Sequence, residues 1–337
     1  MKLFEEFDLK GLKLRNRTVM PPMCMFKAGG DGVATEFHHL HYATRAVGGV
    51  GLIIFEATAV SPDGRLTEND LGLWDDGQIG GLKKIADSCR AYGAKTAVQI
   101  NHAGRKCGVG AYDLLAPSVL RFSGDYKTPV EMTAGQIQRV VSDFGKATER
   151  ADKAGFDALE IHGAHGYLVH QFLSPVTNKR TDEYGGSIEN RTRFLKEVLE
   201  AIKAVWPDEK PISLRVSASD YTPDGIDPDQ MARIINEVKG YIDIVHASSG
   251  GLLPKRVFAY PGYQVPFSEK IRGECGIPTI AVGLIKNAEM AEEILSNRRA
   301  DLVALGRELL GNPYWALNAA AKSKVDGVVP GPYKDGF

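Results

Sequence analysis

The stretch FDALEIHGAHGYLVHQFLSP, Phe156 to Pro175, begins as an apolar strand over Ala158–His162 and runs straight into His162, His165 and Tyr167, with glycines between them. A strand that delivers ionisable side chains to its own C-terminal end is the mark of a parallel α/β fold, in which ligands sit at that edge while the strands hold the loops rigid. Two imidazoles and a phenol placed together can donate hydrogen bonds to a carbonyl oxygen and supply a proton nearby.

Outward from this stretch, apolar strand runs alternate with amphipathic helical segments. Strands are expected at Arg17–Met23, Val50–Ala57, Lys95–Asn101, Ala158–His162, Ile212–Ser217, Ile242–Ala247, Pro278–Val282 and Asp301–Leu305. Helices are expected at Thr35–Val47, Gln78–Tyr92, Thr133–Ala154, Ser187–Val205, Pro228–Lys239, Ser268–Glu274, Ala288–Ser296 and Pro313–Lys324. Thr133 with Gln136 fits a capping box, and Asp227-Pro228 and Asn312-Pro313 each place an N-cap before a proline at the first helical position.

Strands that are apolar throughout, each followed by a helix, call for a parallel sheet covered on both faces or closed on itself. Eight such repeats favour closure, so the fold class is α/β, a single (β/α)8 TIM barrel. An open doubly wound sheet is the alternative, but the G-x-G-x-x-G turn after its first strand is missing. Leu3–Leu14 reads as an N-terminal β-hairpin turning at Lys10-Gly11 and covering the bottom of the barrel. Gly104–Glu131 is too long for a tight βα connection and reads as a loop lid over the top face after strand 3. No linker divides the chain, so residues 1–337 read as one domain.

The 337 residues carry 41 Lys and Arg against 42 Asp and Glu, a balance that points to neither nucleic acid nor an acidic membrane surface as partner. The N-terminus alternates apolar and charged residues where a signal peptide would be continuously apolar, and no run is apolar enough to span a bilayer, so a soluble, cytoplasmic protein is expected. Cys24, Cys89, Cys107 and Cys275 are far apart and form no CxxC pair, which argues against a zinc site, an iron–sulfur cluster or a disulfide scaffold. His162 and His165 have an H-x-x-H spacing, but they lie in a Gly-rich strand-end turn with no evident third ligand, so no metal is expected.

The C-terminal strand ends supply a list with chemical meaning. Strand one ends in Pro21, Pro22, Met23 and Cys24; strand two in Glu56 and Ala57; strand three in Gln99, Asn101 and His102, followed by Arg105 and Lys106. Strand five carries Arg215, strand six ends in Ser248-Ser249-Gly250-Gly251, strand seven in Gly283 and strand eight in Gly306-Arg307. Barrel enzymes frequently bind phosphate with backbone N–H groups of the loops after strands seven and eight. Gly283 and Gly306 stand at those turns, Arg307 adds a bidentate phosphate partner, and Ser249 to Gly251 add a third turn, so a phosphorylated ligand is expected. Arg215 sits inside an apolar strand, where a charge needs a partner. That partner is either a carboxylate, Glu160 or Glu56, or a flat oxygen-rich ring shared with the carboxamide of Gln99.

These residues resemble a known family. PPMCMF from Pro21, FEATAV from Phe55, VQINHAGRK from Val98, EIHGAHGYLVHQFLSP from Glu160, NKRTDEYGGSIENRTRFLKE from Asn178, RVSASDY from Arg215, SSGG from Ser248, PGYQVPFSEKIR from Pro261 and ALGRELL from Ala304 are together similar to the old yellow enzymes, in their bacterial, thermophilic-like branch of ene-reductases. The resemblance runs over essentially the whole chain. It implies an NAD(P)H-dependent flavin oxidoreductase: NADPH or NADH reduces FMN, and hydride then passes to the β-carbon of an α,β-unsaturated carbonyl or nitro compound while Tyr167 protonates the α-carbon.

The resemblance also implies the site. Cys24 contacts the flavin and tunes its potential, beside Pro21, Pro22 and Met23; Ala57, Gln99 and Arg215 hold the ring; Gly283, Gly306 and Arg307 take the phosphate, with Ser249 and Gly251 nearby. His162 and His165 bind the substrate oxygen, with Phe26 and Lys106 shaping the substrate pocket. That branch usually carries tyrosine where Phe26 stands. It also usually has an arginine two residues before an aromatic terminus, reaching into a neighbouring subunit of a homo-oligomer, dimer or tetramer; here Asp335 takes that place with Lys334 beside it. From the residues alone, a flavin-free phosphosugar isomerase or metal-dependent lyase on the same barrel, or a binding protein that keeps the cofactor site without turnover, remain the alternatives.

Overall fold

Proline has no N–H to give a sheet, so the first barrel strand stops where Pro21-Pro22 begins, and β1 is only Thr18–Met20. The computed structural model describes residues 1–325 and 328–336, and Phe337, the aromatic terminus, lies outside them. The barrel continues with β2 (Leu52–Ala59), β3 (Lys95–Asn101), β4 (Ala158–Gly163), β5 (Ile212–Ser217), β6 (Ile244–Ser248), β7 (Thr279–Ala281) and β8 (Leu302–Ala304). All neighbours pair in parallel, and β8 closes the ring onto β1 with Val303 opposite Thr18 and Ala304 opposite Val19.

Closure follows from burial. Every residue of β2, β4 and β5 is buried, so neither face of these strands is left for water. Outside, the helix Ala134–Lys153 buries Ile137, Val140, Phe144, Ala147 and Ala151, a stripe at helical spacing laid on the sheet. Its N-terminus is the expected capping box of Thr133 and Gln136, and Asp227 caps Pro228–Val238 by accepting from the Gln230 N–H at 2.7 Å.

Inside, Val19, Leu52, Ala97, Ile244 and Leu302 fill the N-terminal end of the barrel together with Leu9 and Leu14 of the hairpin Phe7–Leu9/Leu12–Leu14. The hairpin turns at Lys10 and Gly11, both left-handed (φ 53° and 86°), the backbone a tight right-twisted hairpin requires. With the bottom plugged by apolar side chains, the C-terminal mouth is where polar groups gather.

Several boundaries differ from expectation, each for a local reason. The helix after β6 starts at Val265 rather than Ser268, with Pro266 in its first turn. Asn312 does not cap a helix at Pro313; its side chain accepts from the Tyr314 N–H at 3.0 Å, and the helix begins at Trp315. Two six-residue helices, Leu168–Leu173 after β4 and Gly306–Gly311 after β8, stand where no element was assigned from the sequence. The lid contains a short parallel pair, Leu115–Ala116 with Val130–Glu131, and Arg105 ties it down by donating to the carbonyls of Leu120 (3.1 Å) and Leu252 (2.7 Å). Among the described residues no helix is long and apolar enough to cross a membrane.

Candidate active site

The chain leaves β4 through a strained turn. His165 is left-handed (φ 57°) and Gly166 follows at φ 75°, a conformation that costs a non-glycine residue of order 1–3 kcal/mol unless its surroundings hold it. They do so from three sides. Ser217 Oγ accepts from the His165 N–H at 2.9 Å, Lys106 Nζ donates to the His165 carbonyl at 2.9 Å, and the Gly166 N–H donates to His170 Nδ1 at 2.9 Å. His170 is in turn held by Asp220, 2.8 Å from its Nε2.

This turn sets two imidazoles edge to face, with ring centroids 5.1 Å apart, and places Tyr167 against His162 at 4.8 Å. His162 Nδ1 accepts from the Ala164 N–H (3.2 Å), so the proton of His162 is on Nε2, which faces His165 Nδ1 at 3.4 Å. His165 Nε2 lies 2.8 Å from Ser248 Oγ. Burial, reinforced by the Arg215 charge, pushes both imidazoles well below their ordinary titration range, so they are neutral at pH 7. Burial pushes the Tyr167 phenol in the opposite direction, well above its ordinary value. Cys24 behaves likewise: burial, then Glu56 and Asp70, push the thiol up to about 12, and it stays protonated.

A cavity of about 450 Å³ opens beside this turn, walled by His165, Arg215 and Ser248 on one side and by Gly283, Gly306 and Arg307 on the other. Arg215 is only 8% exposed, yet among the described residues it forms no salt bridge with a carboxylate. Glu160 spends its oxygens on Gln99 Nε2 (2.8 Å), Ser213 Oγ (3.0 Å) and His246 Nδ1 (2.9 Å), while Glu56 accepts from the Met25 N–H and Tyr42 Oη. Among the described residues Arg215 Nε has no hydrogen-bond partner, and the bond from Arg215 Nη1 to the Pro22 carbonyl is long, 3.5 Å. Of the two partners weighed for this arginine, the carboxylate is therefore not the one it has.

The other expected residues fall into place unevenly. Gly306 sits against Pro21 and Met23, which lie 3.7 and 3.6 Å from the position a Cβ would take there. Gln99 is buried, with its amide nitrogen committed to Glu160. Ala57 is buried beside a β-bulge that shifts the register of β2 between Phe55 and Thr58. Ser249 and Gly251 do not line the cavity: Ser249 Oγ is 2.9 Å from Tyr221 Oη, and Gly251 packs under His165, whose Cα is 2.7 Å from where its Cβ would be. Phe26 is 42% exposed, does not line the cavity and has a left-handed conformation (φ 53°). Lys106 is half-buried and lies over the rings of Phe122 and Tyr167, 4.5 and 4.8 Å from their centroids. Lys334 and Asp335 are exposed on the turn Gly331–Gly336 and do not touch this cavity wall.

Ser248 and Gln264, which do line the cavity, were not among the expected residues. Strand β6 runs one residue further than the apolar run suggests, and strand parity then turns Ser248 inward and Ser249 outward. Gln264 is the residue before a helix whose start is marked only by Pro266.

The description of the NADH:flavin oxidoreductase / NADH oxidase family matches residues 2–325. The chain belongs to this family, which is the old yellow enzyme family of the sequence resemblance. It is 54% identical over 338 residues to an NADPH dehydrogenase of Clostridium acetobutylicum, covering 100% of each chain. It also superimposes on morphinone reductase with a TM-score of 0.83 at 30% identity, over 95% of this chain and 89% of that one. A 2-naphthoyl-CoA reductase complex shares the fold, with a TM-score of 0.90 at 23% identity over 96% of this chain and 52% of that one. This family member is an FMN-dependent NAD(P)H oxidoreductase, and the cavity fits that cofactor. A stranded guanidinium suits the oxygen-rich end of a flavin, and Gly306-Arg307 at a helix start, with Gly283 opposite (φ 128°), suits a phosphate.

The turn itself is open to test. A Cβ at Gly166 would collide with the Gly251 carbonyl oxygen and lie 2.9 Å from Leu252 Cα, in a φ range that L-residues avoid. Gly166→Ala is therefore expected to lower stability by about 2–4 kcal/mol in urea unfolding, and a loss below about 0.5 kcal/mol would show that the turn is not so confined.

Proposed function

We propose that this oxidoreductase reduces activated alkenes, α,β-unsaturated carbonyl or nitro compounds, and that His162, His165 and Tyr167 form its substrate end. One observation carries this reading: two neutral imidazoles, His162 buried and His165 half-buried in the cavity wall, meet at 3.4 Å on a confined turn, with a protonated phenol packed against His162. Neutral N–H donors aimed at a single point favour an oxygen that gains negative charge during reaction, because they bind it without a counter-charge that would bind the ground state equally well.

Bound FMN supplies the hydride chemistry that no side chain can, accepting from NAD(P)H and donating to the alkene. The protein's part is orientation, charge and one proton. Arg215 and Gln99 hold the ring end of the cofactor, Ala57 and Cys24 with Pro21, Pro22 and Met23 form the wall beside it, and the Gly283 and Gly306 turns with Arg307 take its phosphate. Ser249 and Gly251 act one step back, Gly251 by leaving room for the His165 turn. His162 and His165 draw the substrate oxygen into place, and Tyr167 delivers a proton to the α-carbon. Phe26 and Lys106 border the substrate from the mouth and the lid, and residues 1–337 act as one unit.

Two measurements separate these roles. Arg307→Ala is expected to weaken FMN binding at least about tenfold while leaving riboflavin, which lacks the phosphate, unchanged in fluorescence titrations of flavin-stripped protein; an equal loss for both would move the phosphate away from Arg307.

Tyr167→Phe is expected to slow alkene reduction by about 100-fold or more in stopped-flow experiments, with flavin reduction by NADPH nearly intact. Because the imidazoles titrate below their ordinary 6.5 and the phenol above its ordinary 10, none of the three should give a limb in the pH profile of alkene reduction within that window, where the neighbouring group that titrates is Lys106, pulled down to about 8 by burial and then by Arg105. Equal impairment of both half-reactions, or a limb near pH 7, would count against the assignment.

A further inference from the structure

Ser248 Oγ has two polar partners, and they differ in kind. Gln264 Nε2 lies 3.0 Å away and donates to it, whereas His165 Nε2, at 2.8 Å, can either donate or accept. Among the described residues the hydroxyl's own hydrogen has one acceptor in reach, and that is His165 Nε2. A hydrogen bond in that direction leaves the His165 proton on Nδ1. His162 is fixed the other way, with the Ala164 N–H on its Nδ1 and the proton on Nε2.

We propose that Ser248, oriented by Gln264, is a positioning residue that selects the Nδ1–H tautomer of His165, so that both imidazoles present an N–H to one substrate oxygen. The distances agree with this direction of bonding. His162 Nε2 and His165 Nδ1 stand 3.4 Å apart, long for a hydrogen bond, while the Ser248 contact is short at 2.8 Å. Two N–H groups facing each other across a gap make a poor pair but a good receptor for a shared acceptor. Since both rings are neutral, the choice is between tautomers and not between charge states. Without the serine, the His162 Nε2–H would be the only polar neighbour to instruct His165, and it favours a bare Nδ1, which cannot donate to substrate.

The consequence for turnover rests on the carbonyl-clamp reading above, but the tautomer can be read independently. In ¹⁵N-histidine-labelled, FMN-loaded protein without ligand, long-range ¹H–¹⁵N correlations assigned with His165→Gln should place the proton of His165 on Nδ1 and that of His162 on Nε2. Ser248→Ala should move the His165 proton to Nε2 and weaken binding of a phenol about tenfold, while Ser248→Thr, which keeps the hydroxyl, should restore both. A wild-type His165 protonated on Nε2, or a tautomer indifferent to Ser248→Ala in a well-folded variant, would overturn the proposal. If His162→Ala left phenol binding unchanged, the clamp reading would fall while the tautomer result stood.

Discussion

A buried positive charge that no carboxylate among the described residues bonds is the constraint around which this site is built. Arg215 lies within a strand, its neighbours across the sheet are His162 and His246, and Glu160, the carboxylate whose charge acts on it, bonds to other groups. Although burial disfavours its charged form, the hydrogen-bonded His246 and the Arg215 charge pull Glu160 below the ordinary carboxylate range, so it remains ionised. Its oxygens are bonded by Gln99, Ser213 and His246 inside the barrel. Stranding a charge typically costs several kcal/mol, and a fold retains such an arrangement when a ligand completes it. We propose that the oxygen-rich ring of the cofactor completes it.

The same cation acts on the rest of the mouth. It reinforces burial in keeping His162 and His165 neutral, which turns them from bases into hydrogen-bond donors. A protonated pair would grip any anion, whereas a neutral pair discriminates in favour of an oxygen whose charge grows during reaction. The geometry of that pair depends in turn on a backbone held against its preference, with Lys106, Ser217 and the His170–Asp220 pair each supplying one restraint. The plugged bottom matters as well: Leu9 and Leu14 seal the N-terminal end, so the polar groups of the interior are reached from one side only.

Much of this was legible in the chain itself, and the exceptions have physical causes. The barrel could be read because its strands are buried on both faces and are therefore apolar throughout, and the His162–Tyr167 turn because polar residues abruptly end such a run. The helix Leu168–Leu173 was hidden since all six of its residues are buried and no amphipathic period marks it. The bulge at Glu56 and Ala57 has no composition signature, and neither does the extra residue of β6 that exchanges Ser249 for Ser248 at the cavity wall. Gln264 escaped notice because a single proline marked the helix it precedes. The fate of Arg215 could not be read at all: a strand arginine looks the same whether it pairs with Glu160 or waits for a ligand, and only the bonds that Glu160 makes to its other neighbours decide the matter.

The most direct test is an equilibrium titration of flavin-stripped protein with FMN, wild type beside Arg215→Met, with circular dichroism to confirm that both are folded. If the stranded guanidinium is what the cofactor completes, the wild type binds one FMN tightly and the variant binds it at least about thirtyfold more weakly, the loss of a buried hydrogen bond to a charged group. Equal affinity in the two proteins would show that the cation is compensated by some other means and would remove the foundation of this account.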